Sequence, residues 1–235
     1  MTTMTPMTNT LMINEIFYSI QGESTWAGLP CLFIRLTGCH LRCRYCDTAY
    51  AFHEGHRRTL DDIITHAHRL APHCPLIEVT GGEPLLQPAV HPLMSRLCDT
   101  GKTVLLETSG ACDISPCDRR VIRIMDLKTP ASGESNRNLF ANIDHLTPRD
   151  EIKFVLCSRD DYTWARSIID QYNLASRVRA ILLSAVAEIP PNADIAGSPS
   201  LSLRDLAQWV LQDHLPVRLQ TQLHKLIWDP TTRGV

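Results

Sequence analysis

The run CLFIRLTGCHLRCRYCDT, residues 31–48, joins an apolar stretch to a loop carrying three cysteines. Residues 31–37 read as a β-strand that ends just before the loop. Cys39, Cys43 and Cys46 then follow at C-x3-C-x2-C spacing. Three thiolates on one short loop can hold three irons of a cubic iron–sulfur cluster, whereas a four-cysteine set would close it. The fourth iron stays open, as a catalytic metal site keeps one position for water or substrate. Two other readings stand beside this one. Zinc could be completed by His40, His53 or His56, or the thiols could be inert, since the chain has nine cysteines and free Cys is often buried. Zinc sites favour C-x2-C pairs repeated at a distance. The remaining cysteines, Cys31, Cys74, Cys98, Cys112, Cys117 and Cys157, are scattered and form no such pair.

Outward from the loop, strand-like and helix-like segments alternate. Residues 59–70 (TLDDIITHAHRL) start with a Thr N-cap and carry apolar residues at helical spacing. Residues 76–80 (LIEVT) form a short strand running into Gly81-Gly82-Glu83-Pro84, with a helix expected to follow through residue 97. Further strands are expected at 102–107, 122–127, 151–157 and 178–186, with a last one led in by 216–219. Helices are expected at 160–172 and 202–214. Residues 129–149 are polar and irregular, and the proline-rich stretch 189–199 is a loop or insert. Strands alternating with helices argue for an α/β fold with a parallel sheet and right-handed crossovers. About six parallel strands are fewer than the eight of a closed barrel. The fold class is therefore an incomplete TIM-type barrel with reduced helices.

Composition sets the outer bounds. The chain has 235 residues, 44% apolar and 20% charged, which supports a sizeable core. Residues 1–10, MTTMTPMTNT, read as a disordered extension, and residues 11–235 as one domain that includes a C-terminal substrate-binding segment. A net charge of −2 with no basic stripe argues against nucleic-acid binding. No apolar run approaches the roughly 18 residues of a membrane span. An odd number of cysteines without a secretory leader favours a reducing, cytoplasmic location over a disulfide framework.

Polar, glycine-containing turns recur at strand C-termini, where α/β folds place their sites. The cysteine loop follows the first core strand, and Gly81–Pro84 follows the next. Glu107–Gly110 and Asp126–Lys128 follow the third and fourth. A lone Gly-Gly pair is usually only a turn; four polar strand ends in series, the cysteine loop among them, point to a shared site.

The cysteine spacing after a strand, with Tyr45 just before Cys46 and Gly81-Gly82-Glu83-Pro84 after the next strand, resembles the radical S-adenosylmethionine superfamily. That resemblance implies a 4Fe-4S cluster on Cys39, Cys43 and Cys46, with S-adenosylmethionine chelating the open iron. Backbone around Gly82 and Glu83 would meet the methionine end of the cofactor, because glycine lets amide and carbonyl groups approach closely. Tyr45, Cys46 and Asp47 would lie against the cofactor, and Tyr45 would cover the cluster. Glu107 and Ser109 point to the same site by position, although a strand-end Glu is as readily the partner of a nearby Lys or Arg. Lys128 falls where some relatives have a cofactor-contacting Ser-Pro-Lys.

A closer resemblance spans nearly the whole chain. Asn14-Glu15-Ile16-Phe17, Ser19-Ile20-Gln21-Gly22-Glu23, Gly28-Leu29-Pro30, Phe33-Ile34-Arg35-Leu36, Cys46-Asp47-Thr48 and Gln222-Leu223-His224-Lys225 resemble the 7-carboxy-7-deazaguanine synthases of queuosine biosynthesis. This implies conversion of 6-carboxy-5,6,7,8-tetrahydropterin to 7-carboxy-7-deazaguanine with loss of ammonia. Ile20, Gln21 and Gly22 would bond the pterin edge, Arg35 would pair with its carboxylate, and Thr80 and His224 would face the substrate. Thr48 would coordinate Mg2+, which keeps several non-protein ligands; without the resemblance Thr48 reads as a cap or turn residue. No side chain is assigned as catalytic beyond the cluster and cofactor. The implied partners are the pterin, an external flavodoxin-like electron donor and a second copy in a homodimer. Two rivals are a glycyl-radical activase, which shares the cysteine spacing, and an iron–sulfur electron carrier.

Overall fold

A computed structural model describes residues 9–187, 191, 194, 196–229 and 232–235. The extension expected over 1–10 falls outside the described residues up to residue 8, and Thr10 already opens the first strand. Much of the expected loop 189–199 also falls outside them. The strands are β1 (Thr10–Ile20), β2 (Pro30–Leu36), β3 (His56–Thr59), β4 (Leu76–Gly81), β5 (Thr103–Thr108), β6 (Ile122–Asp126), β7 (Glu151–Leu156), β8 (Ala180–Ala185) and β9 (Arg218–Gln220). The helices are α1 (Leu60–Leu70), α2 (Val90–Asp99), α3 (Arg159–Gln171), α4 (Leu203–Gln212) and α5 (His224–Ile227).

Among the described residues the strands form one sheet in the order β3-β1-β2-β4-β5-β6-β7-β8-β9. β2 and β4 to β9 run parallel, each bonded to the next. β1 is antiparallel to both β2 and β3. The sheet is open, with β3 at one edge and the three-residue β9 at the other. The six long parallel strands expected from the sequence are present, with β9 as a short seventh. The antiparallel pair β1 and β3 was not expected as strands. The reduction of the helices is local: β5 joins β6 without a helix, and β6 joins β7 through three 3-10 turns.

α1, α3 and α4 each start at a side-chain cap. The Thr59 hydroxyl accepts from Asp62 N at 3.1 Å, Ser158 from Asp161 N at 3.2 Å and Ser202 from Asp205 N at 3.3 Å. Such N-caps satisfy amides that have no partner within the helix. Strand alternation then divides the side chains. On β7, Ile152, Phe154 and Leu156 are buried in the core behind the sheet, and Phe154 meets Trp164 of α3 edge-on at 6.2 Å. Lys153 and Val155 point the other way, into a cavity on the concave face. On β4, Ile77 and Val79 join the core, while Glu78 and Thr80 face that cavity. The period-2 geometry of a strand thus sets an apolar layer against the helices and a polar layer inside the barrel.

Candidate active site

The cavity opens at the C-terminal ends of β2 and β4 to β8. The three loop thiols, Cys39, Cys43 and Cys46, all line it. Two hydrogen bonds dock their loop against the end of β4: Glu83 N donates to Gly38 O at 2.8 Å and Gly82 N to Leu36 O at 3.2 Å. The close approach needs glycine. A Cβ at Gly82 would collide with Gly38 O and lie 2.8 Å from the Cys39 Cβ. Gly81 has φ +148°, and a Cβ there would strike the Leu36 carbonyl oxygen. The Gly81-Gly82 pair is therefore a seat for the cysteine loop as well as a turn.

Burial pushes the Cys43 thiol up to about 11, and raises Cys39 and Cys46 as well. Thiolates there require a cation to stabilise them, and metal binding would release their protons. Among the described residues no three Cys, His, Asp or Glu side chains converge on a single metal-ion position. Cysteines on a cubic cluster each meet a different iron, so they need not converge on one point. The donor set and the glycine seat fit a cluster with room beside it.

The sites expected from sequence come together, with one exception. Every one of them lines the cavity apart from Glu83. The Glu83 carboxylate is fully buried and turned inward, accepting from Leu85 N at 3.0 Å, Thr108 Oγ1 at 2.9 Å and Ser109 N at 2.7 Å. The Ser109 hydroxyl also donates to Glu83. These two side chains brace the ends of β4 and β5 against each other. Thr48 holds the N-cap position of the 3-10 turn Ala49–Phe52, but its side chain makes no capping bond, and its Oγ1 lies 3.9 Å from Cys46 Sγ. Lys128 Nζ pairs with Asp126 Oδ2 at 2.8 Å and sits 5.7 Å from the Tyr45 ring centre. Tyr45 Oη and Asp126 Oδ1 are buried without a hydrogen-bond partner among the described residues, two polar atoms left for a bound group to satisfy.

On the opposite wall, Phe17 and Phe33 stack at 4.8 Å, and the Arg35 guanidinium lies 5.6 Å from the Phe17 ring. Arg35 Nε donates to Glu15 Oε1 at 2.7 Å, and Tyr50 Oη donates to the same oxygen at 2.9 Å. Glu15 thereby fixes the fork, whose edge lines the cavity.

The C-terminal segment closes the remaining side. Leu223 N donates to Gly22 O at 2.9 Å, and Ser24 N donates to Gln220 Oε1 at 2.9 Å. Gln222 Nε2 bridges Glu23 Oε1 and Asp47 Oδ2, both at 2.9 Å, and Lys225 Nζ reaches Asp47 Oδ2 at 2.6 Å. Burial would raise the Asp47 pKa, but Lys225 and Gln222 outweigh it and hold the group ionised. His224 packs so closely on Gly22 that a Cβ there would overlap its Nδ1, and burial lowers its pKa.

The cavity floor holds charges that the sequence reading passed over. Lys153 Nζ is buried against Glu107, lies 2.9 Å from Glu23 Oε2 and 3.9 Å from Asp126 Oδ2. Glu107 is thus the partner of a lysine as well as a cavity residue. Gln21 Nε2 donates to Glu78 Oε2. Burial would raise the Glu23 pKa, but Lys153 and Gln222 hold it down; burial and the neighbouring Glu107 push Glu78 well up. A signal for these residues was available: EIKFVL and LIEVTG each carry a charge in the middle of a strand otherwise buried on both faces.

Comparison with known proteins agrees with this geometry. Residues 33–172 match the model of the radical SAM superfamily, and the chain belongs to that superfamily, whose members use an iron–sulfur cluster and S-adenosylmethionine. The 7-carboxy-7-deazaguanine synthase of Koribacter versatilis (strain Ellin345) is 44% identical over 96% of this chain and 100% of its own length. That of Chlorobaculum tepidum is 46% identical over 96% and 97%. Within the superfamily, this chain belongs to the 7-carboxy-7-deazaguanine synthase family. The crystal structure of QueE from Escherichia coli shares the fold, with a TM-score of 0.73 at 22% identity over 92% of this chain and 95% of that one.

Proposed function

We propose that this chain converts 6-carboxy-5,6,7,8-tetrahydropterin to 7-carboxy-7-deazaguanine by ring contraction with loss of ammonia, a step of queuosine biosynthesis. The observation that carries the reading is the meeting, in one cavity, of the cysteine loop, the Gly81-Gly82 seat, the Ile20–Gly22 loop and Arg35.

Cys39, Cys43 and Cys46 would hold three irons of the cluster, leaving one for the amino and carboxylate groups of S-adenosylmethionine. When bound, the cluster and cofactor supply hydrogen-atom abstraction at carbon 6 of the pterin and its return after rearrangement. The chain's own residues position and shield. Backbone at Gly82 would meet the methionine end of the cofactor, and Tyr45, Asp47 and Lys128 would flank it. Arg35, oriented by Glu15, would offer its fork to the pterin carboxylate. The Thr48 hydroxyl would take Mg2+ beside that carboxylate, leaving most ligand positions to substrate and water. Ile20, Gln21, Gly22, Thr80 and His224 would bound the pterin itself.

An external flavodoxin-like donor supplies the electron in this reading, and the enzyme works in the cytoplasm as a homodimer. No helix among the described residues is long and apolar enough to cross a membrane. The test is anaerobic reconstitution with iron and sulfide, then assay with the pterin, with and without Mg2+. Ring-contracted product that requires Mg2+ is expected. An intact cluster with no such product overturns the reading. Hydrogen abstraction from a protein glycine would instead favour the activase, and a cluster blind to S-adenosylmethionine would favour the electron carrier.

A further inference from the structure

Glu78 and the groups around it pose a problem of charge. Four carboxyl groups, Glu23, Glu78, Glu107 and Asp126, share the ammonium groups of Lys128 and Lys153 on one cavity floor. Lys128 is committed to Asp126. Lys153 lies against Glu107 and Glu23, which leaves Glu78 without a cation in contact among the described residues. The groups facing Glu78 are Cys31 at the start of β2, Glu107 on β5, Lys153 on β7, and Gln21 and Glu23 on the loop after β1. Its direct partner is an amide: Gln21 Nε2 donates to Glu78 Oε2. Both residues are 3% exposed. A third negative charge beside Glu107 and Glu23, on a side chain itself almost wholly buried, is costly. Burial and Glu107 both raise the Glu78 pKa, in keeping with a proton held there.

The Gln21 amide is held at both ends, because its Oε1 accepts from Glu23 N at 3.1 Å. Its backbone is closed as well: Gln21 N donates to Leu29 O and Gly28 N to Gln21 O, both at 2.8 Å. Glu78 therefore ties a rigid loop to β4 through one oxygen. Its other oxygen is free of that bond, on a side chain that lines the cavity.

We infer that Glu78 is a specificity-determining residue that, as an un-ionised carboxyl group, donates a hydrogen bond to the ring carbonyl oxygen of the pterin. This rests on the function proposed above and names a contact within it. The pyrimidinone edge of a pterin presents a carbonyl acceptor beside ring N–H and amino donors. A neutral acid next to the Glu107 and Glu23 carboxylates offers the complementary order of one donor and neighbouring acceptors. A site built in this way selects against rings lacking the carbonyl, since the buried donor would be left unpaired.

Three proteins test it: wild type, Glu78→Gln and Glu78→Ala, each cluster-loaded. Gln keeps a carbonyl for Gln21 and a donor for the pterin, so Kd by calorimetry and KM should stay within about threefold of wild type. Ala removes the donor and strands Gln21, so Kd should rise roughly 10- to 100-fold. Infrared difference spectra on adding pterin should show the carbonyl stretch of a protonated carboxyl group in wild type and not in Glu78→Gln. Wild type that binds pterin while Glu78→Gln binds as poorly as Glu78→Ala overturns the inference, as does absence of the carboxyl band. Wild type that fails to bind the pterin overturns the proposed function instead, and with it this contact.

Discussion

Gly22 and His224 are separated by most of the chain, yet each depends on the other. The imidazole lies where a Cβ of residue 22 would be, so Gly22→Ala should push His224 off the cavity wall. A displacement of this kind near the chemistry costs about 10- to 100-fold in kcat/KM, which steady-state assay would show with the cluster content unchanged. The same histidine makes stability depend on pH. Burial lowers its pKa below the ordinary histidine value, so it is neutral in the fold at pH values where the unfolded chain is protonated. Its contribution is complete above the unfolded value and is lost as pH falls through that value toward the folded one. Between about pH 7 and about pH 5.5 the urea midpoint of the wild type should fall, and that of His224→Gln should fall less. Equal slopes in the two proteins would refute this. His224 and Gly22 were legible in the sequence as members of motifs; their contact was not, because nothing local specifies an approach across that distance.

At the scale of elements, β6 and β7 are joined by charge as well as by their ladder. Arg123 donates to Asp150 through N, Nε and Nη2 at 2.8, 3.1 and 2.6 Å, and Asp150 also accepts from Thr147 N at 2.7 Å. Both side chains are almost wholly buried. Removing one partner strands the other, so Asp150→Ala should cost about 3–5 kcal/mol. Thr59→Ala, at the exposed cap of α1, should cost only about 1 kcal/mol. Urea unfolding of both variants compares them directly. The elements themselves were largely readable. Residues 76–80 and 151–157 are short apolar runs, and Thr59, Ser158 and Ser202 cap helices as their type predicts. β1 and β3 were harder to read. β1 mixes buried, half-buried and exposed positions, and β3 is four residues of mostly exposed His, Arg and Thr. Such strands are defined by their neighbours more than by their own pattern.

At the scale of the molecule, the C-terminal segment is a clasp joining the loop after β1 to the loop that carries the cysteines. Gln222 makes the join with a single amide. Gln222→Leu should leave global stability within about 1 kcal/mol and reduce hydrogen-exchange protection in residues 21–23 and 44–48 together. Loss of protection in only one of the two loops would mean that they are not coupled through this residue.

The chemistry and its order along the chain are legible before any folding is considered. Cysteine spacing, glycine pairs and strand ends are local patterns, and a thiol, a planar guanidinium or a missing Cβ carries its properties wherever it lies. Folding settled which charges face each other: the Lys153 cluster, the turning of Glu83 away from the cavity, and the placing of Glu78 on its wall. Those outcomes depend on burial and on distances between residues far apart in sequence. In a low-dielectric cavity a few ångströms decide whether a carboxyl group keeps its charge.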